Sequence, residues 1–335
     1  MPVRIGVICP SEIAFRRFMP ALAHDKRFEF AGIAHASLNE WNGADIALIE
    51  KERGKAEKFI EEYGGEIFDS YLKLIEASSI DAVYLPLPPA LHGEWTKKAI
   101  EAGKHCFVEK PFATELSDTL ELISAARENK LALNENYMFV YHSQLDFIRK
   151  EITDKKMGDI RCINISFGFP FRGTNDFRYN KKLGGGALMD CGGYALKLAQ
   201  MLAGGNAEVS FAQMKYKDGI DVDIFGSAVI SGENTAHIEF GMDNSYKCSL
   251  EIWGSERSLF ADRIFTAPAG FSPIVTYRDN NGEEVIHLPA DDTFAKSLDN
   301  FMLCITDDNK RLENYGAIQR QAELVEQFKK KASEF

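Results

Sequence analysis

None of the six cysteines, at positions 9, 106, 162, 191, 248 and 304, forms a C-x-x-C pair, and no histidine cluster of zinc-like spacing accompanies them. A structural metal site and a disulfide framework are excluded as organising principles, and the thiols read as reduced, small packed residues. No apolar run approaches the roughly 18 residues that a membrane span needs. The chain opens directly on Val3-Arg4-Ile5-Gly6-Val7-Ile8, without the charged and apolar regions of an export leader. The expectation is a cytoplasmic protein with no membrane partner. Positive charge is also scarce, since 39 Lys and Arg stand against 50 Asp and Glu for a net charge of -11. Nucleic acid, which is bound through basic surface, is excluded as the main partner. No internal repeat and no low-complexity linker interrupts the chain.

What remains is an ordinary globular composition, 45% hydrophobic and 27% charged, in 335 residues. That length exceeds what one core usually supports, so two domains are expected, residues 1–134 and 135–335. In the first, short β-branched runs at 3–8, 28–34, 82–86, 105–108 and 131–134 alternate with amphipathic stretches at 11–22, 56–63, 92–102 and 117–129. This pattern predicts a doubly wound parallel α/β sheet. Residues 38–54 have weak periodicity and read as an elaborated loop or short helix. After residue 134 the pattern turns to alternation, as in Ile163, Ile165, Phe167 and Phe169, or Tyr246, Cys248, Leu250 and Ile252. Further runs at 208–216, 222–230, 234–240, 258–264 and 273–288 predict an α+β domain on a large, mainly antiparallel open sheet. A last helix at 312–331 places Ile318, Ala322, Val325 and Phe328 on one face.

Ligands of a doubly wound sheet bind outside the carboxyl ends of its strands, and a pyrophosphate there uses N–H groups at the start of the first helix. The turn after the first strand reads Cys9-Pro10-Ser11-Glu12-Ile13-Ala14. Against the G-x-G-x-x-G/A fingerprint only Ala14 fits; Cys9 and Ser11 stand at glycine positions, and Pro10 withdraws an N–H. Ser11 compensates with its hydroxyl and amide, whereas Glu12 would repel phosphates if it pointed inward. Alone, this turn leaves a connection that binds no nucleotide equally open. Two other strand ends carry more: Pro86-Leu87-Pro88-Pro89-Ala90-Leu91-His92, and Glu109-Lys110-Pro111-Phe112. A lysine set by a proline-flanked turn at such an end is placed to meet a substrate. His92 would either contact a cofactor or cap a helix.

Together with Glu135-Asn136-Tyr137-Met138, Tyr141-His142 and the run from Gly184 through Asp190 to Tyr194, these motifs resemble the Gfo/Idh/MocA family of oxidoreductases over nearly the whole chain. The resemblance implies a Rossmann domain that binds NAD(P), followed by a domain for substrate binding and oligomerisation, here as a homodimer or homotetramer. It implies that Lys110 touches both nicotinamide and substrate, that the bond before Pro111 is often cis, that Asp190 orients the substrate, and that Tyr194 is the proton donor. The dinucleotide would meet Cys9, Ser11, Glu12, Ile13, Ser37, Pro86, Leu87, Pro88, His92, Glu109, Lys110 and Asn136. The substrate, a small carbohydrate, would meet Lys110, Tyr137, Arg178, Asp190 and Tyr194. The chemistry agrees: as hydride reaches a carbonyl carbon, charge grows on oxygen, and an ammonium with a proton donor lowers that barrier. A tyrosine carries its proton at neutral pH, which suits reduction.

Within that resemblance some features depart. The second strand ends in Gly32-Ile33-Ala34-His35-Ala36-Ser37, lacking both the acid that holds a ribose 2′-hydroxyl and the arginine that meets a 2′-phosphate. Ser37 and His35 can serve a phosphate, so NADP is favoured over NAD. Arg178 would bind an anionic or hydroxylated substrate, or form a structural ion pair. The leading expectation is reduction of a keto group on a nucleotide-linked sugar. An aldose or dihydrodiol dehydrogenase is the enzymatic alternative, and a non-catalytic dinucleotide- or sugar-binding regulator is the alternative of another class.

Overall fold

In the computed structural model, which describes residues 1–334, six parallel strands form the first sheet. They are β1 (Val3–Ile8), β2 (Phe28–Ala34), β3 (Glu66–Phe68), β4 (Ala82–Leu85), β5 (His105–Val108) and β6 (Leu133–Glu135), in the order β3-β2-β1-β4-β5-β6. Every neighbouring pair is parallel. β4 is buried along its whole length, as expected of a strand covered on both faces. The order reverses beside β1, so the crevice for a ligand lies at the carboxyl ends of β1 and β4. The connecting helices are α1 (Met19–Ala23), α2 (Ile46–Tyr63), α3 (Tyr71–Glu76), α4 (Pro89–Glu101) and α5 (Leu116–Glu128). A π-helical turn, Ala14–Phe18, leads into α1.

In the second sheet, alternating side chains bury one face. Its strands are β7 (Ile160–Gly168), β8 (Glu208–Lys217), β9 (Ile220–Ser231), β10 (Ala236–Gly241), β11 (Lys247–Gly254), β12 (Ser258–Asp262), β13 (Ile274–Asp279) and β14 (Gly282–His287). Their order is β14-β13-β12-β11-β7-β10-β9-β8, antiparallel throughout except for β7 beside β10. Ile165 stands opposite Leu250 on one side and Ile238 on the other, and all three are buried. This unit also holds α6 (Ser143–Thr153) and α7 (Gly193–Ala203), the latter carrying a buried stripe of Tyr194, Leu198 and Leu202.

Two helices complete the fold, α8 (Thr293–Thr306) and α9 (Asp308–Ala332). By compactness the chain divides into residues 1–136 with 294–319, and residues 137–293 with 320–334. Residues 294–319 therefore belong with the first sheet, where a single cut after residue 134 assigns them to the second domain. The physical reason is edge cover. The Tyr315 hydroxyl and the Asn314 amide donate to the carbonyls of Leu131 and Leu133 beside the terminal strand β6, and Phe301 packs edge-on to Phe107. The segment read as an elaborated loop or short helix, 38–54, contains the start of α2, whose first residues are mostly exposed but whose N-cap, Asp45, accepts the Leu48 N–H at 2.8 Å. Among the described residues no helix is long and apolar enough to cross a membrane, and no group of His, Cys, Asp or Glu could hold a metal ion.

Candidate active site

The first unit carries its predicted residues just beyond the carboxyl ends of β1, β2, β4, β5 and β6. Cys9 leaves β1 with φ 86°, the left-handed conformation that a glycine would adopt freely, and its N–H bonds to Ala34 at the end of β2. The Ser11 hydroxyl oxygen accepts the Ala14 N–H at 3.2 Å, which leaves its own proton to be given outward. The amides of Glu12 and Ile13 lie in the opening turn, where a helix has no carbonyl to receive them. The Glu12 side chain is exposed and lies 3.9 Å from Arg16, so its charge stays with a partner on the surface. This donor set suits a pyrophosphate without the glycines. Burial pushes the Cys9 thiol up to about 12, assisted by the charge of Glu52, and removes it as a nucleophile.

The other two turns are tied together from beneath. Pro88 and Pro89 start α4, which places His92 in its first turns with both ring nitrogens on backbone carbonyls: Nδ1 lies 2.6 Å from Pro111 O and Nε2 lies 2.8 Å from Leu87 O. His92 thus lies between the Pro86-Leu87-Pro88 turn and the Lys110-Pro111 turn, and its neutral ring donates its one N–H to one of the two carbonyls. Burial, only partly offset by those carbonyls, lowers its pKa to about 4 and keeps it neutral at physiological pH. The Lys110–Pro111 bond is cis. Beside it, Glu109 is half-buried, and its Oε1 receives the Tyr84 hydroxyl at 2.8 Å and the Asn136 amide at 2.7 Å. Burial raises the Glu109 pKa against the pull of both donors and of Lys110. Asn136 is oriented in turn by Ser297 of α8, whose hydroxyl donates to its Oδ1 at 2.9 Å. Ser37, expected to serve a phosphate, donates both its N–H and its O–H to Glu40.

The remaining predicted residues lie in the second unit: Asp190 and Tyr194 at one helix start, Arg178 in the 3-10 turn Phe177–Tyr179, and Tyr137 just before the turn Met138–Tyr141. Leu188–Gly192 forms a π-helical turn that runs into α7, so Asp190 and Tyr194, four residues apart, project from neighbouring turns. Asp190 Oδ2 accepts from Arg178 Nε at 2.7 Å, and the same guanidinium reaches Asp176 at 3.1 Å. Arg178 is therefore half of an ion-paired cluster that fixes Asp190. Tyr194 sits in an aromatic surround, with the rings of Tyr137, Phe167, Phe139 and Phe265 centred 5.0, 5.4, 5.6 and 5.6 Å away. The glycines allow close approach. A Cβ at Gly193 would overlap the Tyr137 hydroxyl, and Gly186, at φ 123°, leaves room for the Asp223 carboxylate.

Asp223, Glu40, Tyr84 and Ser297, which hydrogen-bond to predicted site residues or to the helix that carries them, are what local motifs miss. Asp223 on β9 accepts the Leu188 N–H at 2.7 Å and so caps the helix that carries Asp190 and Tyr194. Burial raises its pKa to about 6, opposed by the amides it receives. Its only signal in sequence is an acid within an apolar strand pattern, 35 residues beyond the amide it accepts.

Comparison with known proteins agrees with both halves. The family profile described as "Oxidoreductase family, NAD-binding Rossmann fold" matches residues 3–137, and that of the GFO/IDH/MocA C-terminal domain matches residues 146–260. The chain is 36% identical over 341 residues to a dTDP-3,4-didehydro-2,6-dideoxy-alpha-D-glucose 3-reductase of Streptomyces violaceoruber, covering 98% of this chain and 95% of that protein. A crystal structure of a 3-ketoreductase from Actinomadura kijaniata, in complex with NADP and TDP-benzene, superposes with a TM-score of 0.90 at 34% identity, covering 98% of each chain. The same 3-ketoreductase has also been crystallised with a tyrosine replaced by phenylalanine and with a lysine replaced by alanine.

Proposed function

The chain belongs to the Gfo/Idh/MocA oxidoreductase family, and from that premise we propose that it reduces a keto group on the sugar of a dTDP-linked substrate. The observation that carries the reading is the helix start of the second unit, where a tyrosine follows an ion-paired aspartate by four residues. The relatives at 34–36% identity over nearly the full chain act on, or were crystallised with, dTDP-type molecules.

A bound NADPH or NADH supplies the hydride. The protein's own residues handle the charge and the proton. As negative charge develops on the carbonyl oxygen, the Lys110 ammonium stabilises it and Tyr194 gives up its phenolic proton to form the hydroxyl, later regaining a proton from solvent. Asp190, held by Arg178, accepts hydrogen bonds from substrate hydroxyls and sets the ring's orientation. Tyr137 packs against Tyr194 and fixes the plane of its ring. In the first unit, His92 and Glu109 hold the turns on either side of Lys110, and the Ser11 hydroxyl with the adjoining amides takes the phosphates. Association into a homodimer or homotetramer is part of the same reading. The outward face of the second sheet exposes Phe211, Trp253 and Val285, which a second copy would cover.

The test is turnover of a dTDP-linked keto sugar, followed by loss of reduced-nicotinamide absorbance. Tyr194→Phe should lower kcat by about 10²–10⁴ and Lys110→Ala by a comparable factor, with dinucleotide binding to Tyr194→Phe unchanged. Binding of dinucleotide without turnover of any such sugar would move the reading to the non-catalytic regulator. Light scattering of the purified protein checks the oligomer, and a monomer at micromolar concentration contradicts that part.

A further inference from the structure

The loop after β2 is where a doubly wound sheet receives the adenosine ribose, and from His35 to Asp45 it contains no arginine or lysine. Its hydrogen bonds run in an unexpected direction. Ser37 donates its N–H at 2.8 Å and its hydroxyl at 2.9 Å to Glu40 Oε2. The same carboxylate accepts the N–H groups of Tyr71 at 3.1 Å and Leu72 at 2.9 Å. Four donors from two segments hold Glu40 in place, and the proton of Ser37 is committed to it. What Ser37 offers outward is lone pairs alone.

The neighbouring groups follow the same sense. His35 is buried, with Nδ1 3.0 Å from Ala36 O and Nε2 3.6 Å from Asp69 Oδ1. Arg53 and Lys73 also lie against Asp69, each at 3.9 Å. A ribose 2′-hydroxyl is a donor and matches an acceptor-rich loop. A 2′-phosphate offers only acceptors and brings negative charge beside a fixed carboxylate, which is unfavourable in both respects.

We propose that Glu40 is a specificity-determining residue that holds down the affinity for dinucleotides bearing a 2′-phosphate, so that NAD(H) stays usable beside NADP(H). This rests on the dinucleotide-dependent reading above. Glu40 is the effective group because it both carries the charge and takes the proton that Ser37 would otherwise give to a phosphate oxygen.

The test is fluorescence titration of the full chain and of Glu40→Gln with NADH and NADPH, reading dissociation constants rather than turnover. The amide keeps an acceptor for the backbone N–H groups but removes the charge. The ratio of affinities should move at least threefold towards NADPH, and a smaller shift overturns the proposal. A second measurement needs no variant: adenosine 5′-phosphate and adenosine 2′,5′-bisphosphate compete for the wild-type site. The added 2′-phosphate should improve competition by less than about tenfold, and a larger gain overturns the proposal. If neither dinucleotide binds the folded protein, the dinucleotide reading falls and takes this one with it.

Discussion

The two groups of predicted site residues, one in each unit, are built by opposite means. In the first unit, each predicted residue sits within a few positions of a strand end, and contiguous motifs deliver it: Cys9 to Ala14 after β1, Pro86 to His92 after β4, Glu109 to Pro111 after β5. In the second, Asp190 and Tyr194 share one helix start, but groups distant in the chain hold that start: Asp223 caps it, Arg178 clamps it, and Tyr137 lies over Gly193. The first half is the more tolerant because, apart from the Glu109–Asn136–Ser297 chain, its fixed points are backbone carbonyls and strand ends. The second half is a close-packed clasp in which single atoms decide the fit.

Glycine substitutions should expose that contrast most sharply. Gly193→Ala places a methyl on the Tyr137 hydroxyl, which the structure can accommodate only by moving Tyr137 and with it Tyr194. Overpacking of this kind costs about 1–3 kcal/mol, and a displacement near 1 Å lowers kcat by about 10². Gly93→Ala, beside His92 in α4, meets no atom closer than 4.0 Å and should stabilise the protein by about 0.5–1 kcal/mol with unchanged dinucleotide affinity. Chemical denaturation and steady-state kinetics on both variants check this. Equal effects would erase the distinction between the halves.

The halves should also respond to pH with opposite sign. His92, depressed to about 4, resists protonation in the folded state, so its contribution is intact above the ordinary histidine range and is lost as pH falls towards 4. Asp223, raised to about 6, resists ionisation, so stability falls as pH rises from the ordinary carboxylate range through 6. Denaturation midpoints at several pH values between 4 and 6.5 should show the falling limb on acidification shrink in His92→Gln, leaving the part that belongs to His105, which burial also lowers to about 4. In Asp223→Asn the loss on raising the pH should disappear, and kcat should drop about tenfold as the helix cap weakens. Matching pH slopes in the two variants would contradict the assignment. The smallest effect belongs to Cys9→Gly. Relief of the left-handed strain, about 1 kcal/mol, is partly offset by glycine's greater unfolded freedom, leaving a gain of a few tenths of a kcal/mol and dinucleotide affinity within about threefold.

This division also explains what the sequence made legible. The strands at 3–8, 28–34 and 105–108 and the large second sheet could be read because each is contiguous and periodic, whereas the lysine, aspartate and tyrosine are legible through contiguous motifs that resemble a family. β3 could not be read, since three residues set no period. The start of α2 was obscured because only Ala56 and Phe59 of that helix are buried, which leaves a thin apolar stripe. Residues 294–319 join the first unit through side-chain bonds from Asn314 and Tyr315 to carbonyls about 180 positions away, which no local pattern announces. Glu40 and Asp223 share that character, because each acts through backbone amides of a segment that only folding brings near.

The most direct test of the central claim is to follow the hydride itself. The protein would be incubated with a dTDP-linked keto sugar and NADPH or NADH deuterated at the transferring position of the nicotinamide, and the sugar product examined by mass spectrometry and NMR. One deuterium on the former keto carbon, formed by the wild type and almost absent with Tyr194→Phe, is the predicted result. A protein that binds the dinucleotide yet leaves every such sugar unlabelled would contradict the account.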